Sequence, residues 1–482
     1  MALIRNNFFI LSLVVSFLLS LATDWYAELS IFLFIVTIFA NLDKLGKGLV
    51  LRELVVLYSI FICLVMPSMG YSVYNYDNYL ARVFYKFMLV PENVYFSYAM
   101  PAVCAFSVAL CYPVKKEGAV LDEGESFKNL LQEVRNELVT RIRSGIVIVI
   151  VGALTFFILD AIPDVFKFAV TMLFFSSFAG ILYIYYSPKF RSKNVLLISF
   201  TVFVLGLAVE SGVFTIVVYM GITIFSFLFL GRKYALWKKF LVFIVCCFIL
   251  LITQNVKEAY RDITWRGKEI NNKTSLFFNI GIDKVTHVEK LFNTDGFFPI
   301  YMRTNQGYNI SRVMHRIPSQ QDYDDGSHLI VTSASALVPR FIWPDKAEAG
   351  GIENMKYFAG ISIYGWSTNV SPLGEAYGSF GPVGGIFFMF LLGLFIRFIY
   401  MRMFLIAQNL PLLILWIPVI FYQITYSMET DSLQIFNSLL KGVLFLWLLY
   451  KITPEWFGKM KNPFLQRRAR SSFLYAEQPK AV

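Results

Sequence analysis

The sequence is short of charge, short of histidine and without any patterned cysteine. Only 16% of its 482 residues are charged, against about 25% in soluble globular domains. Together with 57% hydrophobic residues and repeated apolar runs of roughly 20 residues, that deficit excludes a soluble domain and requires a polytopic membrane protein. The five cysteines, Cys63, Cys104, Cys111, Cys246 and Cys247, all fall in apolar runs, where a thiol behaves as a small hydrophobe. Their spacing fits neither a zinc site nor a redox pair. The three histidines, His287, His315 and His328, include no pair at i, i+4, and Asp322, Asp324 and Asp325 lack the spacing of a calcium loop. No metal and no cofactor is therefore expected.

Aromatic residues are plentiful, with 49 Phe and 27 Tyr, as suits lipid-facing helices with interfacial belts. The net charge of +11 invites a nucleic-acid reading, but its distribution argues against one. From Asn255 to Glu375 there are 13 basic and 13 acidic residues, while the remainder holds 30 basic and 19 acidic. The excess thus lies in short loops, where positive charge marks the cytoplasmic side.

Twelve apolar runs can be read, near residues 7–22, 25–40, 49–69, 94–112, 144–159, 165–186, 195–208, 213–230, 240–253, 383–400, 410–426 and 433–450. Lys44 and Lys47, Lys189 to Lys193, Arg232 to Lys239, Arg397 with Arg402, and the tail from Lys459 to Arg470 place basic residues in every other loop. The expected fold is an all-α polytopic integral membrane protein of about 12 transmembrane helices with both termini cytoplasmic. Residues 1–254 would hold helices one to nine, with a cytoplasmic loop at 113–143. Residues 255–375 would form one large extracytoplasmic loop, 376–450 the last three helices, and 451–482 a basic tail. In the 113–143 loop Phe127, Leu130, Leu131, Val134 and Leu138 recur at helical spacing, which fits an amphipathic helix or a plain solvated connector.

The 255–375 block is too long for a passive connection, so it reads as a small folded domain or a pair of re-entrant segments. All three histidines and the arginines Arg261, Arg266, Arg303, Arg312, Arg316 and Arg340 lie in it. A helix near Asn305 to Arg316 would put Arg312, His315 and Arg316 on one face. Ser327 can cap a second helix over His328 to Leu337. Clustered arginines are forks for phosphate or carboxylate oxygens, and a neighbouring histidine can act as a general base. The combination suits a diphosphate leaving group and an acceptor hydroxyl; snorkelling to headgroups or pairing with the block's acids would use the same arginines structurally.

The run Leu337-Val338-Pro339-Arg340-Phe341-Ile342-Trp343-Pro344-Asp345-Lys346 and the run Gly374-Glu375-Ala376-Tyr377-Gly378-Ser379-Phe380-Gly381 resemble the Wzy-type O-antigen and exopolysaccharide repeat-unit polymerases. So does the layout of many spans with one large late loop. The resemblance implies a GT-C-like fold in the bacterial inner membrane and a metal-independent inverting glycosyltransferase. Its substrate would be an undecaprenyl-diphosphate-linked glycan, its surroundings membrane lipid, and its partners a chain-length regulator and a flippase of the same pathway. Arg340 matches the Pro-Arg motif and takes the role of diphosphate binder, with Arg312 and Arg316. Lys257, Arg261 and Arg266 lie where such families keep a further basic contact. His315 or Glu375 would be the catalytic base. An O-antigen ligase would use similar groups. A transporter or flippase would place polar groups within the spans and show repeated halves, neither of which is evident.

Overall fold

The computed structural model describes residues 2–458 except 117, 159–160, 212–214, 233, 265–272, 336–337, 339–341, 344–350 and 364–367. The chain is mainly helical. In order come α1 (Ala2–Ser20), α2 (Tyr26–Lys44), α3 (Leu51–Ser72, with a π-turn at Phe61–Val65) and α4 (Glu92–Cys111). Then follow α5 (Gly124–Leu138), α6 (Ile142–Ile158), α7 (Asp164–Tyr186), α8 (Lys193–Ser211), α9 (Thr215–Leu228) and α10 (Leu236–Thr264). The large block contributes α11 (Lys273–Thr286), α12 (Thr294–Thr304), α13 (Gln306–Arg316), α14 (Ser327–Ser335) and α15 (Ile352–Tyr357). The chain closes through α16 (Ser371–Ala407), α17 (Pro411–Glu429, largely 3-10) and α18 (Ser432–Ile452).

Each of the twelve apolar runs carries helix, but the expected count of about 12 membrane-crossing helices does not follow. Among the described residues eight helices are long and apolar enough to cross, namely α2, α3, α4, α7, α10, α16, α17 and α18. Counting the pair α5 and α6, bent by 88°, as one broken span gives nine. Asn7–Ser20 and Lys193–Ala208 are apolar but short, and α9 has 14 residues, fewer than the roughly 20 a bilayer core requires.

The chain divides into two compact units. In the first (residues 1–115, 194–398 and 420–442), basic side chains finish helices at one end. Lys239 donates to Leu42 O at 2.8 Å and Leu45 O at 2.6 Å. Arg52 donates to Leu110 O and Tyr112 O, and Arg397 to Tyr112 O and Pro113 O. The last carbonyls of a helix have no partner within it, so cations there satisfy both hydrogen bonding and the helix dipole. Buried Lys44 pairs with Glu53 at 2.8 Å. Thus several residues that read as topology markers are also helix caps. Gly46 (φ 86°) belongs to the same end; a Cβ there would meet Arg232 O at 2.6 Å.

Elsewhere in this unit the Tyr-rich segment after α3 is pinned by aromatic packing. Tyr74 stacks on Tyr301 at 4.2 Å, and Tyr301 Oη donates to Lys86 O. Helix α13 presses into the bundle so closely that a Cβ on Gly307 would strike Pro67 Cγ at 2.3 Å. In the second unit (116–193, 399–419 and 443–482), α6 and α7 meet through Gly145, Gly152 and Gly180, where a Cβ would stand within 3 Å of the facing helix. Amphipathic α5 buries Phe127, Leu130, Leu131, Val134 and Leu138, as its spacing requires.

Candidate functional site

The centre of the polar arrangement in the first unit is Glu375, near the start of α16. It is 4% exposed. Asn354 of α15 donates from Nδ2 to Glu375 Oε1, and the Ser432 amide at the start of α18 donates to Oε2 at 2.8 Å. Two neutral donors therefore hold this carboxyl. The other side of the Asn354 amide, Oδ1, lies 3.0 Å from His328 Nε2. Because Nδ2 is engaged by a carboxyl, Oδ1 is an acceptor and Nε2 carries the imidazole proton.

His328 is fixed from three further directions. Its amide donates to Asp324 Oδ2 at 3.2 Å, its ring stacks on Tyr357 at 4.1 Å, and Phe358 meets it edge-on. Burial lowers its pKa below the ordinary 6.5, with Asp324 and Glu353 pulling upward less strongly. The ring is neutral at pH 7, with its proton on Nε2, and among the described residues nothing is bonded to Nδ1. The sharp turn before α14 is made by Asp325 and Gly326 at positive φ, and Asp324, rather than Ser327, accepts from the first amides of the helix.

A second polar chain runs alongside. Gln306 and Asn309 of α13 both donate to Asn369 O, Asn369 Nδ2 donates to Asp431 Oδ2 at 2.9 Å, and the Gln434 amide donates to Asp431 Oδ1. Glu429 takes Arg303 at 2.6 Å and the Tyr58 hydroxyl. The turn between α17 and α18 is thereby tied to the large block.

Cations gather on α13. Arg312 donates from Nε to Tyr308 Oη at 2.9 Å and lies over that ring. Lys86, from the segment before α4, stands 4.3 Å from the centroid of the same ring. Burial, helped by the Arg312 charge, lowers the Lys86 ammonium to about 8. Among the described residues no group of three His, Cys, Asp or Glu stands together as a metal site would require.

Residues 7–404 match the family model described as a domain of unknown function, DUF8712. The chain belongs to the DUF8712 family. No curated protein and no solved structure matches it. The DUF8712 region contains Lys86, Tyr308, Arg312, His328, Asn354 and Glu375, and ends before Asp431 and Ser432.

Set against the sequence expectations, this DUF8712 chain keeps Arg312, His315 and Arg316 on one helix but gives them different surroundings. His315 is exposed at the end of α13, and no contact among the described residues joins its ring to Glu375. Arg316 turns to Lys356 O at 3.3 Å and packs over Gly360. Arg312 alone of the three reaches Tyr308. Glu375 lies within α16 and not in a loop. Lys257 is in α10, half-buried, and the backbone of Arg261 is in the same helix. Arg266 and Arg340 lie outside the described residues, as does the side chain of Arg261. His287 is exposed beside Asp283. Sequence reasoning missed Lys86, Asn354 and the place of His328. Asn354 and Lys86 gave no sequence signal, since each acquires its partners only through the fold.

Proposed function

We propose that the protein is a polytopic glycosyltransferase of the bacterial inner membrane. It polymerises undecaprenyl-diphosphate-linked repeat units into O-antigen or exopolysaccharide by inverting transfer on the extracytoplasmic side, with about 12 spans in a GT-C-like arrangement. The observation that carries the reading is a neutral, half-buried imidazole whose tautomer is fixed by an amide held on a buried carboxyl. The carboxyl at its base, Glu375, belongs to a helix long and apolar enough to cross a membrane, where ionisable residues are functional candidates by default. His328 takes the part of general base, while Asn354 and Glu375 position it. Glu375 is too enclosed, with both oxygens engaged, to meet a sugar hydroxyl itself.

In the transfer, the acceptor oxygen bonds to the anomeric carbon as its proton passes to His328 Nδ1. The bond from that carbon to the diphosphate oxygen breaks, and its electron pair leaves with the diphosphate. Arg340, Arg312, Arg316, Arg261, Arg266 and Lys257 supply the cations from which the diphosphate draws, with Arg340 first through its resemblance to the Pro-Arg motif.

In vitro turnover of lipid-linked repeat units tests the reading. His328→Ala should lower the rate by about 10²–10⁴-fold, the range of general-base removal, with His315→Ala close to wild type. The reverse pattern returns the role to His315. Cells lacking the gene should accumulate single repeat units; long lipid-linked chains without surface display would point to a ligase.

A further inference from the structure

We infer that Lys86 and Arg312, which both lie against the Tyr308 ring, form a binding site for a phosphate-type oxyanion. The site deepens the transferase reading and rests on it only for what carries the anion. Lys86 Nζ is 4.3 Å and Arg312 Cζ 5.3 Å from one ring centroid. Both residues are half-buried. Among the described residues neither has a carboxylate partner: Lys86 has only the ring, and Arg312 only the ring and its hydroxyl.

Two like charges held this close and partly dry oppose each other. A single cation–π contact is worth roughly 0.5–2 kcal/mol, which does not offset a second half-buried cation. Among the described residues the groups against the Lys86 ammonium are Tyr308 and Arg312 of α13, and neither is an acid. The surroundings are nevertheless firmly built. Tyr301 Oη holds the Lys86 carbonyl, the Leu89 amide meets Ser311 Oγ at 3.4 Å, and α13 is locked against Pro67 through Gly307. A well-packed frame therefore presents the guanidinium's outer nitrogens and a whole ammonium with no carboxylate against them among the described residues. An arginine fork beside a lysine point charge matches a multi-oxygen anion bearing about two negative charges.

Calorimetric titration of the full-length protein in neutral detergent with inorganic diphosphate reads the site directly, without turnover. Lys86→Gln and Arg312→Gln should each weaken binding by about tenfold or more, the loss of one charge-assisted hydrogen bond. Lys86→Arg, which keeps the charge, should bind, and Lys128→Gln, a surface lysine, should leave affinity unchanged. Wild-type affinity should fall between pH 7 and 9.5 as Lys86 loses its proton. A prenyl diphosphate that competes with inorganic diphosphate identifies a lipid-borne anion. Binding of inorganic diphosphate without such competition keeps the site, assigns it a free phosphate and counts against the transferase reading. Absence of binding, or equal loss in Lys128→Gln, overturns the proposal.

Discussion

Asn354 is the amide through which Glu375 and His328 are joined, so its replacement by leucine tests the arrangement at one point. Leucine has the same number and branching of side-chain heavy atoms but no polar ones. The change strips Glu375 Oε1 of the Asn354 donor and His328 Nε2 of its acceptor. Glu375 is 4% exposed, so water cannot readily replace the lost donor. Leaving a buried donor or acceptor without its partner costs about 1–3 kcal/mol. Asn354→Leu should therefore destabilise the protein by about 2–4 kcal/mol, read as a lower thermal midpoint in detergent. The double variant Asn354→Leu with Glu375→Met removes the stranded carboxyl too, leaving the Ser432 amide and His328 Nε2 without their acceptors. It should regain about half or more of that loss, since replacing both partners by apolar groups is far milder than orphaning one. A double variant no more stable than Asn354→Leu alone would refute the reasoning.

Glu375→Gln should leave stability within about 1 kcal/mol of wild type, because the Asn354 amide can turn over and His328 can move its proton to Nδ1. Nitrogen NMR of the imidazole should show that reversed tautomer, and turnover should fail through loss of the Nδ1 acceptor; an unchanged tautomer contradicts the hydrogen-bond assignment. Since burial holds the His328 pKa below 6.5 in the fold, the unfolded chain takes up this proton first as pH falls. The contribution is full above pH 6.5 and declines below it, so unfolding midpoints should drop on acidification, and less so in His328→Gln. Gly152→Leu should cost about 1–3 kcal/mol by overpacking, because a Cβ there already stands 2.8 Å from Leu173 O; a midpoint equal to wild type would show that α6 and α7 can separate freely. Reporters fused after Lys47 and Lys239 should read cytoplasmic and one at Gln320 external, and a cytoplasmic reading at Gln320 would reverse the sidedness on which the function rests.

The helices were legible in the sequence because apolar runs of span length and the 3.6-residue period leave little alternative. Phe127 to Leu138 is the plainest example, its five apolar positions all buried. What composition could not give was the length of each helix, so short runs such as Lys193–Ala208 were counted with the rest. The site was legible only in kind. Arg312, His315 and Arg316 do lie on one helix, yet α13 buries polar Gln306 and Asn309 to serve Asn369 O, and its last turn leaves His315 outside. Helical spacing describes one helix and says nothing of what packs against it. The link from His328 through Asn354 to Glu375, and the approach of Lys86 to Tyr308, both join segments distant in sequence, and neither uses a residue type that announces its role.

The Lys239 cap has a consequence for biosynthesis. The carbonyls it closes belong to Leu42 and Leu45, and Leu42 lies 197 residues earlier in the chain. During translation the second helix is thus made long before the group that completes its end, and its last carbonyls need another partner, such as water, meanwhile. Completion comes only when α10 begins to emerge. The early hairpin is in this sense provisional until the ribosome passes position 239, when this lysine fastens the first part of the protein to the later one.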